Sequence, residues 1–444
     1  MKNAVRKNLQ SIFRAAINSV MPEHAVFLQR DFVTETYRRK NYRKLYVIGF
    51  GKAACQMAKG LESALPARAD KVILITKYGH CQSINFEYDN VDIYEAGHPV
   101  PDRAGLNATG NVLELLTRTD EETMVICLIS GGGSALLVSP CDEITFEEKQ
   151  ITTEILQKAG ADIRELNTVR KCISGIKGGR LAVMAYPARI VSLIISDVVG
   201  DILDVIASGP TSPDSSTFSD ALSVISRVDV IKKIPVKVVE TLLKGNAGLL
   251  PETPKSGNPV FNNVSNIIVG NNAIAIKAAM EKAESLGYET HIVSSPVTGE
   301  ARIAGRELAK RAMDIHYSLQ NRNNGKICVI SGGETTVTVK GKGAGGRNIE
   351  LALSFAQEIH GIRGISLLSA GTDGSDNITD AAGAFADGAT VIRALKKGLD
   401  SFLFLENNDS YSFFKELNDL FITGPTGTNV MDLQIMVKIG RAHV

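Results

Sequence analysis

The sequence predicts an α/β protein of two domains, an N-terminal Rossmann-like parallel sheet flanked by helices and a C-terminal α/β domain with a mixed sheet. Three observations predict it. The 444 residues are about three times the usual ~150-residue domain. The apolar runs KLYVIG, KVILIT, MVICLI and RIVSLII are continuous, not alternating, as in strands buried on both faces of a parallel sheet. In the second half TTVTVK alternates, which predicts an antiparallel part.

Taken in order, residues 3–40 are expected to be helical, with Leu9, Ile12, Phe13, Ala16 and Ile17 at three-and-four spacing. The four apolar runs follow as strands, each running into a Gly-rich turn and separated by helical segments such as AACQMAKGLESAL. Between Lys232 and Asn266 the chain turns rich in Pro, Gly and Asn (LLPETPKSGNPVFNN), which sets the expected domains at 1–245 and 246–438. The second domain repeats the strand-and-turn theme with NIIVGN, THIVSS, KICVIS, TTVTVK and GISLLSA. The last six residues, IGRAHV, coincide with one reading frame of a widely used sequencing adapter, so 439–444 are expected to be an artefact without function.

Composition narrows the function. Lys and Arg number 49 against 48 Asp and Glu, so no global field exists to hold nucleic acid or an anionic membrane. Six cysteines without a CxxC pair read as buried thiols in a reducing compartment, not as a disulfide framework or zinc site. Charges run through the first forty residues with no apolar cleavage-type segment, and a cytoplasmic location is expected.

Ligands of open α/β sheets bind at the carboxyl ends of strands, so the residues after each apolar run come first. Ser130-Gly131-Gly132-Gly133-Ser134 after MVICLI would expose successive backbone N–H groups and then start a helix, an anion nest for phosphate or carboxylate. IGFGKAA fits the GxGxxA dinucleotide fingerprint, but the next strand ends in Lys77 and Tyr78, not in the acid that holds a ribose. Used differently, the same turn sets Lys52 at a helix N-terminus facing a transferring phosphoryl group. Asp197 follows RIVSLII directly and is a candidate magnesium ligand or general base. From Asn167, the string NTVRKCISGIKGGRLA puts Asn167, Arg170, Lys171, Ser174 and Lys177 at helical spacing ahead of Arg180. Few acids lie near in sequence, so an anionic ligand is expected there.

In the second half VKGKGAGGRNIELAL joins a loop containing Gly345 and Gly346 to a helix begun by Arg347, another expected anion site. SAGTDGSDNITDAAGA supplies Asp373, Asp376 and Asp380, and TGPTGTNVMDL, with Asn429, is a further Gly- and hydroxyl-rich loop. No histidine cluster, GxSxG or HExxH is present. His98 in GHPVPD is the only histidine in a turn suggestive of a site, and a structural role is expected for it.

These strings resemble the glycerate 2-kinases that carry a C-terminal MOFRL domain. The matching segments are GFGKAA, GHPVPD, SGGGSALL, LNTVRKCISGIKGGRLA, SDVVGD, ASGPTSPD, GGETTVTVKGKGAGGRNIELAL, AGTDGSDNITDAAGA and GPTGTNVMDL, in family order over almost the whole chain. One departure is Asn377-Ile378, where the family often has Gly-Pro. The resemblance implies a two-domain enzyme that phosphorylates D-glycerate at its 2-hydroxyl from ATP with a divalent metal, in an interdomain cleft. It also implies an active-site lysine and arginine at Lys52 and Arg347.

Together, the strand-end residues and the resemblance assign catalysis to Lys52, Arg347 and Asp197. Nucleotide binding falls to Gly131, Gly132, Gly133, Ser134, Lys177, Arg180, Gly345, Gly346 and Asn429, and Mg2+ to Asp197 and Asp373. The expected partners are D-glycerate and ATP, with no nucleic acid and no membrane, and a homodimer is left open. The alternative is an NAD(P)H-dependent hydroxypyruvate reductase, for which the sequence shows no adequate nicotinamide site.

Overall fold

The computed structural model describes every residue except 2, 82, 83, 88, 319–324, 378 and 439–444. The suspected artefact at 439–444 and Ile378 of the Asn377-Ile378 departure thus lie outside the described residues. The chain divides into two compact units, Pro22–Val269 and Met1–Met21 with Gly270–Val444.

The first unit is built on six strands, β1 (Lys44–Phe50), β2 (Lys71–Lys77), β3 (Val91–Ala96), β4 (Thr123–Ile129), β5 (Arg189–Ile195) and β6 (Val264–Gly270). They lie in the order β3-β2-β1-β4-β5-β6, with β1 parallel to β2 and β4, β2 to β3, and β4 to β5. This is the strand order of dinucleotide folds, whose succession reverses between β1 and β4, where a ligand crevice opens at the carboxyl ends. Every residue of β4 is buried, which explains why the run MVICLI is apolar without alternation.

The expected boundary at 245/246 moves to 269/270. NIIVGN, assigned to the second domain from sequence, forms β6 and completes the first sheet. The Pro- and Gly-rich stretch before it is an internal connection, pinned where Thr253 donates to Asp214 at 2.8 Å. A composition shift marks a loop; it does not show on which side of the loop a core closes.

The second unit carries β7 (Glu289–Ile292), β8 (Val297–Glu300), β9 (Ile327–Thr336), β10 (Ile365–Gly371), β11 (Gly383–Asp387), β12 (Leu420–Phe421) and β13 (Asp432–Lys438). The order is β12-β11-β10-β13-β9-β7, with β8 also on β9. β9 runs parallel to β7 and β8, while β9, β13, β10, β11 and β12 pair antiparallel in turn. The sheet is therefore mixed, though not through TTVTVK, of which only Thr335 and Thr336 extend β9.

The helix Asn3–Ser19 belongs to this second unit. It buries Leu9, Ile12, Phe13, Ala16 and Ile17, the stripe read from sequence. Phe13 meets Phe421 edge-on at 5.1 Å, and Asn8 donates to the Tyr288 hydroxyl at 2.9 Å. Helicity over 3–40 is interrupted ahead of Pro22, giving two further helices, Pro22–Phe27 and Arg30–Arg39, both in the first unit.

The cysteine reading needs one correction. Cys55 and Cys81 form a disulfide with Cα atoms 5.7 Å apart; they are 26 residues apart in sequence, so no spacing motif announces the pair. Cys127, Cys172 and Cys328 are buried thiols, and burial pushes each up to about 12.

Candidate active site

The turns after β1, β4 and β5 form one constellation in the first unit. Gly51 has φ 128, and a Cβ there would lie 2.2 Å from Ser130 Oγ, so only glycine lets the two turns close. Lys52 N–H donates to Gly131 O at 2.9 Å, and Ala53 N–H to Ser130 Oγ at 3.1 Å. This stitching crosses the β1/β4 switch point. Among the described residues the N–H groups of Gly131 and Gly132 meet no acceptor in the chain, and the Lys52 ammonium forms no ion pair. Donors and a cation left open at such a crevice are equipment for an anion.

Gly132, with φ 85, precedes the single-turn helix Gly133–Leu136, too short to add much dipole. Ser134 Oγ lies 2.8 Å from Ser208 Oγ, which donates to Asn167 Oδ1 at 3.1 Å. Ser134 thereby ties the glycine turn to the body of the unit. Asp197 crosses the same turn from β5: a Cβ on Gly131 would lie 2.2 Å from Asp197 Oδ2. Burial raises the Asp197 carboxyl above its ordinary value while the Lys52 charge opposes the rise.

His98, read from sequence as structural, also reaches this turn. A Cβ on Gly132 would meet His98 Cδ2 at 2.9 Å and Nε2 at 3.1 Å, with Lys52 Cγ at 3.4 Å. Burial, then the charges of Lys52, Lys77 and His80, push His98 down to about 4, so its ring is neutral near pH 7. The GHPVPD turn was the available signal.

The cationic segment after Asn167 serves another purpose. The helix Ile163–Cys172 ends there. Its last carbonyls accept from Lys149 Nζ (Arg170 O at 3.3 Å, Ile173 O at 3.0 Å) and from Arg180 (Lys171 O at 2.7 Å), cations at a helix C-terminus. Lys171 pairs with Asp214 and, at 3.4 Å, with Asp204, acids too distant in sequence to be anticipated. Lys177 is 2% exposed and donates to Leu137 O at 3.2 Å. Where a nucleotide-binding face was expected, Lys177 is turned inward and holds the end of the glycine turn, while half-buried Arg180 spends one guanidinium N–H on Lys171 O.

In the second unit Arg347 opens the helix Arg347–Glu358. Its guanidinium donates from Nε to Asp432 Oδ2 at 2.6 Å and from Nη2 to Asp432 Oδ1 at 2.9 Å, and from Nη1 to Glu334. Burial works against the charge, but Asp432 and Glu334 outweigh it and raise the Arg347 pKa. The amides of Asn348 and Ile349 donate to Asp376 at 3.2 and 2.8 Å, so the expected anion site at this helix start is filled by a carboxylate of the chain itself. A Cβ on Gly346 would collide with that carboxylate.

From Lys340 to Ala344 the glycine loop before it is likewise occupied. The N–H groups of Lys340 and Gly341 donate to Asn408, Lys342 to Asn407 and Ala344 to Asp409, and Gly345 packs against Ser410. Asp373 accepts from Ser375 N–H at 3.0 Å, and its charge helps raise Asp432, which brings Asp373 into the Arg347 group. Asn429 Oδ1 accepts from Met431 N–H at 3.0 Å. Asn377 adopts φ 63, a left-handed turn that asparagine tolerates. Among the described residues no three His, Cys, Asp or Glu side chains gather to hold a metal.

Comparison with known proteins agrees with this architecture. A domain of unknown function, DUF4147, matches residues 8–243, and the MOFRL family matches residues 327–432. The D-glycerate 2-kinase of Thermotoga maritima is 42% identical over 432 residues, 97% of this chain and 98% of that protein. A putative hydroxypyruvate reductase of Agrobacterium vitis is 38% identical over 441 residues, 98% of this chain and 94% of that protein. The crystal structure of Thermotoga maritima glycerate kinase superposes with a TM-score of 0.86 at 41% identity, covering 98% of this chain and 100% of that one. Alike in sequence along nearly its whole length and in the fold of both units, this chain belongs to the two-domain glycerate kinase family.

Proposed function

We propose that the protein transfers the terminal phosphoryl group of ATP to the 2-hydroxyl of D-glycerate, giving 2-phospho-D-glycerate. The observation that carries this reading is the set of open donors at the β1/β4 switch point, the Gly131 and Gly132 amides beside the unpaired Lys52. Phosphoryl transfer asks a protein mainly for positioning and for stabilising charge on the moving group. The two amides and Lys52 would hold phosphate oxygens, with Gly133 and Ser134 fixing the turn. Asp197, half-buried and with its carboxyl raised, would accept the proton of the attacking hydroxyl or serve as a metal ligand. In the second unit Arg347, Gly345, Gly346 and Asn429 are proposed to contribute to binding the nucleotide.

A carboxylate at a strand end beside open phosphate donors, as Asp197 is, suits a magnesium ion. In such reactions the ion takes one or two carboxylates, with waters and substrate phosphates completing its shell. Asp197 in the first unit and Asp373 in the second are each proposed as a carboxylate ligand, and the ion would neutralise charge on the phosphates. Among the described residues no helix is long and apolar enough to cross a membrane. A cytoplasmic enzyme of two small-molecule substrates, with a homodimer as one open assembly, completes the reading.

The name borne by the Agrobacterium vitis relative and the Rossmann strand order favour a second reading, a hydroxypyruvate reductase. Against it, β2 ends in Lys77, where a nicotinamide site needs an acid for the ribose. Phosphorus NMR with ATP, Mg2+ and D-glycerate tests the proposal and should show 2-phosphoglycerate forming. NADH consumption with hydroxypyruvate and no phosphoryl transfer would replace it by the reductase.

A further inference from the structure

We propose that His98 is a catalytic residue of this site, donating an imidazole N–H to an anionic oxygen of the substrates held over the Gly131 and Gly132 amides. The inference rests on the kinase reading. It begins with the path of the chain. β3 is the edge strand, yet the segment leaving it passes the ends of β2 and β1 to put His98 against the turn after β4. That excursion is anchored by Asp102, which accepts from Gly105 N–H at 2.9 Å and from the Tyr78 hydroxyl at 2.8 Å.

The space in front of Gly132 is shared by the His98 ring edge and the Lys52 stem, so any side chain at 132 would evict one of them. Buried polar groups find partners in the fold or in ordered water. His80 does, with Nδ1 3.2 Å from Lys52 O. Among the described residues His98 has none, although it sits between an unpaired lysine and two unpaired amides. Its ring nitrogens are therefore open to a ligand held at this turn.

Burial first, then the charges of Lys52 and Lys77, keep the ring neutral, and in its Nε2–H tautomer it presents a donor without adding a charge. Two anionic oxygens have the required chemistry, one on the terminal phosphate of ATP and one on the glycerate carboxylate.

The experiment compares wild type with His98→Phe, which keeps ring volume and loses the donor, and His98→Gln, which keeps an N–H near the Nε2 position. Steady-state kinetics with each substrate varied, and calorimetric binding of a non-hydrolysable ATP analogue and of D-glycerate, are read beside thermal unfolding. We expect His98→Phe to lower kcat/KM roughly 30- to 300-fold and His98→Gln to recover at least a third of that loss on a logarithmic scale, with unfolding little moved. Weakened analogue binding assigns the phosphate oxygen; weakened glycerate binding assigns the carboxylate. If His98→Phe keeps kcat/KM within threefold of wild type, or if His98→Gln recovers nothing while folded, the assignment is wrong. A wild type without kinase activity would instead sink the kinase reading itself.

Discussion

Arg347 and Asp432 form a two-pronged ion pair, Nε to Oδ2 at 2.6 Å and Nη2 to Oδ1 at 2.9 Å, with Asp432 only 1% exposed. Arg347 therefore stabilises a buried carboxylate, besides the phosphate contact proposed for it. Arg347→Ala should lower kcat about 100- to 1000-fold, and it should also destabilise the fold by about 3 kcal/mol, since it strands Asp432. Arg347→Lys should rescue only part of either loss, because an ammonium cannot make the planar fork. Adding Asp432→Asn to Arg347→Ala should restore stability without activity. Denaturant unfolding beside kcat separates the two roles, and an unchanged stability for Arg347→Ala would contradict the first of them.

Lys52 behaves differently because its ammonium forms no ion pair among the described residues. Lys52→Ala should cost a similar 100- to 1000-fold in kcat while leaving the melting temperature within a degree or two. A folded variant with kcat within a few-fold of wild type would remove Lys52 from the mechanism.

Gly131 lies under Asp197. Gly131→Ala would set a methyl carbon 2.2 Å from Asp197 Oδ2, so the carboxylate must move, and activity should fall at least 100-fold. Gly110 provides the control: it is exposed within the helix Arg103–Leu116, and a Cβ there meets nothing within 4 Å. Gly110→Ala should keep full activity and gain up to about 1 kcal/mol from helix propensity. Equal effects of the two substitutions would rule out the Asp197–Gly131 packing as the cause.

The contrast between the two glycine loops marks what sequence could reveal. Continuous apolar runs disclosed β1, β2, β4 and β5 of the first sheet, because burial on both faces leaves no room for alternation, and strand ends then pointed to Lys52, Gly131 and Asp197. Glycine content alone did not distinguish SGGGS, whose Gly131 and Gly132 amides stay open, from KGKGAGG, whose amides from Lys340 to Ala344 are taken by Asn407, Asn408 and Asp409 some sixty-five residues away. The pairing of Lys171 with Asp214 and the capping by Asp376 were hidden for the same reason: both depend on partners brought together only by the fold. β13 was missed because DLQIMVK mixes polar and apolar residues, yet all but its last residue are buried.

Asp376 gives the pH prediction. Burial first, then the charge of Asp432, raise its carboxyl from an ordinary 3.8 to about 7, against the lowering effect of the Ile349 and Asn348 amides and of Arg347. The folded state thus holds this proton more tightly than the unfolded chain does. The resulting stabilisation is complete below pH 3.8 and is lost as pH rises through about 7. Asp376→Asn keeps an oxygen for one of the two amides and cannot ionise, so its unfolding free energy should change less between pH 4 and 7.5 than that of wild type. His98, pushed down to about 4, acts in the opposite sense, favouring the fold above pH 6.5 and ceasing to do so as pH falls toward 4. That contribution is common to both proteins and cancels in the difference between their curves. Urea unfolding at half-unit pH intervals provides the measurement. The difference between variant and wild type should grow in favour of Asp376→Asn from pH 4 to 7.5, and parallel curves would show that Asp376 is ionised in the folded protein throughout.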